Sequence, residues 1–181
     1  YIVKKTSGQT IINPGSLPEV ESTKPLIDRF VANYETVIPE SQIAVNSDWQ
    51  RVEWFDRTAY MRAIFDFIAI RPSDIVIGDF KTGKLRDYEG TNEHPGQLHL
   101  SAAIALQMWP TVPEIHTMYL YVDHKTPIVK TFTQNDREPL VKKFTDEHAA
   151  INADKEFKPT VNEFCKWCPA TRSVCPFSRK I

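Results

Sequence analysis

Two apolar runs flank a four-residue turn, RAIFDFIAI before and DIVIGDFK after, with Arg71-Pro72-Ser73-Asp74 at the junction. Both runs are rich in the branched and aromatic residues that suit a pleated strand, and Pro and Ser suit a tight reversal. The segment therefore predicts a β-hairpin. If Ile70 pairs with Ile75, Asp66 falls opposite Asp79. Opposed residues share a face, with Cβ atoms roughly 5 Å apart, and strand alternation brings Lys81 to that same face. A one-residue slip would scatter the three side chains, whereas symmetric trimming of the turn would not. The face also carries Ile64, Ile68, Ile75 and Ile77, so it reads as buried, and acids among isoleucines require a reason.

Two facing carboxylates repel unless a proton or a cation lies between them. Hard oxygen ligands at that spacing suit Mg²⁺ or Mn²⁺, which accept carboxylates, a backbone carbonyl and several waters. A neighbouring lysine can orient a water without competing as a ligand. The set Asp66, Asp79 and Lys81 is thus equipment for metal-assisted hydrolysis of a phosphodiester. The plain alternative is a solvated sheet face on which Lys81 offsets the two acids. A phosphate-binding loop is excluded, although Gly78, Gly83 and Lys84 nearly spell one. Leu85 stands where the magnesium-binding hydroxyl belongs, and loop-forming RDYEGTNEHPG follows where a helix should begin.

The rest of the chain supplies a frame for that hairpin. KPLIDRFVANYET has helical spacing, with Leu26, Ile27, Phe30, Val31 and Tyr34 on one face. SQIAVN and QRVEWF read as strands, GQLHLSAAIALQMW as an apolar helix ended by Pro110, and IHTMYLYVD with PIVKTFT as a second hairpin. REPLVKKFTDEHAAIN reads as an amphipathic helix. Strands and helices in this order predict an α/β domain with a central mixed sheet flanked by helices. A length of 181 residues with 41% hydrophobic content predicts one domain over residues 1–181. The formal charge of −1 gives no global basic field, so any nucleic-acid contact must be local. No run is long enough for a membrane-spanning helix and no secretory signal is visible. The chain opens on Tyr1, and its natural start is expected upstream.

Taken in order, RAIFDFIAI, DIVIGDFKTGK, GQLHLSAAIAL and FCKWCP with a later cysteine resemble the RecB-like branch of the PD-(D/E)XK nucleases, especially short phage- and prophage-type exonucleases. The resemblance spans roughly residues 39–177. It implies a restriction-endonuclease-like core and a Mg²⁺- or Mn²⁺-dependent deoxyribonuclease acting on linear ends or single strands of DNA in the cytoplasm, beside a recombination or replication partner protein. It implies that Asp66, Asp79 and the Phe80 carbonyl hold the metal, with Glu40 as a further acid. It makes Lys81 the catalytic lysine and Gln97 the first residue of the motif helix. Three departures stand out. Ile12 or Asn13 occupies the place of an N-terminal histidine, Ser101 that of the motif tyrosine, and Ala63 and Ile64 replace a glycine before Asp66. The lost histidine admits a second reading, a DNA-binding module that keeps the nuclease fold.

The three cysteines, Cys165, Cys168 and Cys175, fall within eleven residues in a C-terminal segment, 157–181. An odd, clustered set is a poor disulfide framework and a better fragment of a metal or cluster site, which suits a reducing compartment. The same resemblance makes them three parts of an iron–sulfur staple. A 4Fe–4S cluster typically takes four thiolates, and no cysteine precedes Cys165. A cluster whose fourth ligand lies upstream of Tyr1, zinc completed by a histidine, and a reduced loop packed around Trp167 and Phe177 all stay open. The histidines read as structural or surface residues; helical period turns His99 well away from Gln97.

Overall fold

The computed structural model of the chain describes residues 18–82 and 95–178. The chain divides into two compact units, residues 1–144 and 145–181. In the first, helix α1 (Pro18–Asn33) leads into a six-stranded sheet: β1 (Thr36–Val45), β2 (Arg51–Val52), β3 (Met61–Arg71), β4 (Asp74–Lys81), β5 (Glu114–Tyr121) and β6 (Thr126–Thr133). Their spatial order is β2-β1-β3-β4-β5-β6, and only β4 and β5 run parallel. A parallel pair needs a crossover, and helix α2 (Pro95–Met108) supplies it. Residues 102–106 of α2, Ala-Ala-Ile-Ala-Leu, are fully buried. The three alanines let the helix lie close against β3 and β4, where Ile68, Ile75 and Ile77 form one core with it. On the other face Leu26 and Phe30 of α1, with Tyr34 just after it, cover Phe67, Ala69 and Val76. The mixed, helix-flanked sheet expected from the sequence is present.

The hairpin register holds as read. Arg71 pairs with Asp74, Ile70 with Ile75, and the ladder continues to Phe67 with Gly78. Its closed end is clamped by Asp74, a buried carboxylate that accepts from Tyr34 Oη at 2.7 Å, Arg71 Nε at 2.5 Å and Ser73 Oγ at 2.7 Å. Burial alone would raise its pKa, but these donors outweigh burial and hold the carboxyl below the usual range. Burial, then the hydrogen bond to Asp74, pushes Tyr34 up to about 12. The turn is thereby pinned at both ends, and the register that places Asp79 follows from it.

Strand β1 starts earlier than SQIAVN suggested and passes through Pro39, a residue that reads as a breaker. Pro39 is tolerated because β2 covers β1 only at Ala44 and Val45, which leaves Pro39 on an open edge. QRVEWF shrinks to the two-residue β2 for the same reason, having little of β1 to pair with. Helix α1 stops at Asn33 rather than Thr36, since β1 takes up Thr36 opposite Ile70 of β3.

Gly78 permits a close crossing. A Cβ there would lie 2.0 Å from Cε1 of Phe67, whose ring is fully buried between Phe30 and Phe80. Gly78→Ala is expected to destabilise by about 2–3 kcal/mol through overpacking. That would lower Tm by roughly 5–10 °C in a chain of this size. A thermal melt with an unchanged midpoint would show that Phe67 has room to move.

Helix α3 (Arg137–Ala153) closes the first unit with Leu140 and Phe144 and continues into the second. The second unit ends in the cysteine segment, with a short 3₁₀ turn over Glu163–Lys166. No helix among the described residues is long and apolar enough to cross a membrane.

Candidate active site

Four side chains from three elements meet where β4 ends: Asp79 and Lys81 of β4, Gln97 of α2 and Tyr119 of β5. Lys81 Nζ lies 2.6 Å from Asp79 Oδ2. Gln97 Nε2 donates to Asp79 Oδ1 at 2.7 Å, and Gln97 Oε1 accepts from Lys81 Nζ at 3.1 Å. Tyr119 Oη donates to the same Gln97 oxygen at 3.1 Å. Two donors on Oε1 and one acceptor for Nε2 fix the amide in a single orientation. The lysine ammonium also sits over the Tyr119 ring, 4.7 Å from its centroid.

Tyr119 was not legible as part of this site. It lies beside Asp79 in the parallel β4–β5 ladder and is fully buried, so its hydroxyl requires a partner and finds Gln97. Only the strand order reveals this. Ser101, at the motif tyrosine position, is itself buried and donates to the Gln97 carbonyl at 2.8 Å within α2. The aromatic hydroxyl beside Gln97 thus comes from β5 rather than from the helix. His99 faces away from the site, with its ring against Phe132 and Nε2 near Lys130. Burial, then Lys130 and Lys143, holds its imidazole below the usual histidine range.

Asp66 arrives differently from the expectation. The β3–β4 pairing ends one step before Asp66 and Asp79, and the Phe80 N–H is instead taken by Asp66 Oδ2 at 2.6 Å. The carboxylate replaces a ladder bond and is held by it. Glu40 lies across from Asp66 on β1, between the pairs Pro39–Phe67 and Ser41–Phe65. It is exposed, with φ of 47°, a left-handed backbone that costs energy for any residue but glycine. At this point the alternation of both strands shifts by one. Phe65 and Ile68, three apart, share the α2 core, while Ile64, expected beside Asp66, is 56% exposed. Because β1 and β3 shift together, their register survives.

The donor set suits a hard divalent cation. Asp79 Oδ2 is buried and receives no hydrogen bond; its contact with Lys81 is one of charge alone, without hydrogen-bond geometry. Beside it stand the fixed Asp66 carboxylate and the Phe80 backbone. Among the described residues no three Asp, Glu, His or Cys side chains gather into a metal site. Magnesium is commonly held by one or two carboxylates plus waters and substrate phosphate, which is what Asp66 and Asp79 offer. The same observation weighs against the cysteines: Cys165, Cys168 and Cys175 are free thiols that do not converge as a ligand set. Ile12, Asn13, Gly83, Lys84 and His94 lie outside the described residues.

No curated protein matches the chain in sequence. Among solved structures, one titled "Crystal structure of SSO0001" is similar at 15% identity with a TM-score of 0.43. The match covers 83% of this chain and 63% of that one, so the chain spans less than two thirds of that protein. The family model for the PD-(D/E)XK nuclease superfamily matches residues 21–176, from α1 through the cysteine segment. With that match over most of its length and a restriction-endonuclease-like mixed sheet beneath it, the chain belongs to the PD-(D/E)XK nuclease superfamily.

Proposed function

We propose that this chain is a Mg²⁺- or Mn²⁺-dependent deoxyribonuclease of the RecB-like, phage-type branch, acting as an exonuclease on linear DNA ends or single strands. The superfamily is one of nucleases, which hydrolyse phosphodiester bonds. The observation that carries the reading is the closed Asp79–Lys81–Gln97 triangle, with the Asp66 carboxylate fixed beside it by the Phe80 N–H. Asp66, Asp79 and the Phe80 carbonyl would hold the cation, with Glu40 as an outer acid. When bound, the cation supplies charge stabilisation at the phosphoryl oxygens and a more acidic water.

The chain's own groups do the rest. Gln97 fixes one Asp79 oxygen, leaving the other free of hydrogen bonds. Lys81 brings a positive donor to the place where a phosphate would gain negative charge, and Tyr119 and Gln97 hold that donor in position. No step of the proposed reaction draws on Cys165, Cys168 or Cys175. A second reading, a DNA-binding module without chemistry, is favoured by Ile12 or Asn13 in the place of the histidine.

Labelled linear DNA, covalently closed circles and end-blocked duplexes, each incubated with and without Mg²⁺ or Mn²⁺, separate these readings. Cleavage is expected for the linear substrate alone and only with metal. Cut circles would overturn the exonuclease part. Binding without cleavage under every metal condition would leave only the module.

A further inference from the structure

A groove of about 690 Å³ opens on the α2 face of the sheet, between β1, the β1–β2 turn and the C-terminal end of α2. Its volume lies within the roughly 300–1,000 Å³ of small-ligand sites. The floor is apolar, formed by Ile38, Ile43, Ile68 and the buried Trp49. The walls are not. Ser41, Asp48, Gln50 and Arg51 line it, and none of their side chains makes a hydrogen bond or ion pair among the described residues. Opposite them stand the half-buried Trp109 and Arg137, whose guanidinium is held by Gln107. The fold does not use these polar groups, and an apolar floor with one aromatic wall is the composition of a site for a flat, partly polar ring.

Position narrows the ligand. Ile38 and Ser41 flank Glu40, and Ile68 lies two residues from Asp66, about 7 Å along the strand. Ile68 also pairs with Ile77, two residues before Asp79 on the face that Gln97 covers. Trp109 follows Gln97 by twelve residues, about 18 Å along α2, so a strand with its phosphate beside Asp66 and Asp79 would cross the Ile68 floor and reach Trp109 with a nucleotide two or three further along. A base within a duplex is stacked and paired, so only an unpaired nucleotide can enter.

We infer that this groove is a binding subsite for one unpaired nucleotide two or three positions along the strand from the phosphate being cut. Its base stacks on Trp109 and its phosphate meets Arg51. The inference rests on the nuclease reading for its location, and it makes single-stranded or frayed ends the preferred substrate.

The test is binding without metal, where cleavage does not interfere. Full-length protein is titrated in EDTA, by fluorescence anisotropy, with a labelled eight-nucleotide oligothymidylate and with a closed hairpin duplex. Trp109→Ala is expected to weaken oligonucleotide binding about tenfold, the scale of one lost base–aromatic stack. Its hairpin affinity should stay within about twofold of the parent. Arg51→Gln, at an exposed position that does not threaten folding, should weaken oligonucleotide binding and lower its salt slope by about one. Equal losses on both substrates would overturn the inference, as would no loss with Arg51→Gln; either result leaves the groove to a protein partner. A parent that binds the oligonucleotide through these residues yet cleaves nothing in Mg²⁺ would sink the nuclease reading and keep the subsite.

Discussion

Asp79→Asn is expected to reduce metal-dependent cleavage by roughly a thousandfold or more while leaving the protein folded. The substitution replaces the carboxylate oxygen that receives no hydrogen bond with an amide, a neutral group that is a poor partner for a divalent cation. Loss of a cation's charge stabilisation is worth several kcal/mol in such reactions, and each 1.36 kcal/mol is a factor of ten in rate. The fold has less at stake. The substituted amide keeps an oxygen to accept from Gln97, and the ion pair that disappears is partly open to solvent, with Lys81 at 31% and Asp79 at 22% exposure. Such pairs contribute at most about 1 kcal/mol. Relief of the charge beside Asp66 acts in the opposite direction, so the melting temperature should move by only a few degrees. Single-turnover cleavage and a thermal melt on the same preparation check both parts. Cleavage at the parental rate would place the site elsewhere; a collapsed melt would make Asp79 a structural residue.

The hairpin was legible because its turn is short and its strands are apolar. Pro72 and Ser73 fix the reversal, so Ile70 meets Ile75 and everything outward follows by counting. What counting missed lies where the backbone departs from an ideal strand. Alternation predicts Ile64 beside Asp66, but both strands shift phase at Glu40 and Asp66, and no residue-by-residue pattern announces a paired shift. Tyr119 was hidden for a different reason. Which strand lies beside β4 is a property of the crossover through α2, and a Tyr within IHTMYLYVD looks like any other core aromatic until β5 is known to run parallel to β4. Pro39 shows the limit of propensity: it breaks a strand only where its missing N–H is needed, and on its β2 side β1 has no neighbour there.

Lys81→Met separates the lysine's chemistry from metal binding. As an ammonium, Lys81 has three donors and no acceptor, so it is no ligand. Its nitrogen nevertheless stands 2.6 Å from the Asp79 oxygen that would face a cation, so lysine and cation compete for the same negative charge. Methionine retains an unbranched apolar stem, and its sulfur can pack against the buried Tyr119 ring that the ammonium now covers. Mn²⁺ affinity should therefore equal or exceed that of the parent. Cleavage should still fall by roughly a hundredfold or more, the loss expected when one preorganised donor to a developing charge is removed. Gln97 makes the distinction sharper, because its amide still receives Tyr119 and still donates to Asp79 when Lys81 is gone. The carboxylates thus keep their places, and any fall in rate belongs to the missing ammonium. Calorimetric titration with Mn²⁺ beside single-turnover cleavage reads the two quantities separately. If binding and cleavage are lost together, Lys81 holds Asp79 in place rather than acting on the phosphate, and the role assigned to it is wrong.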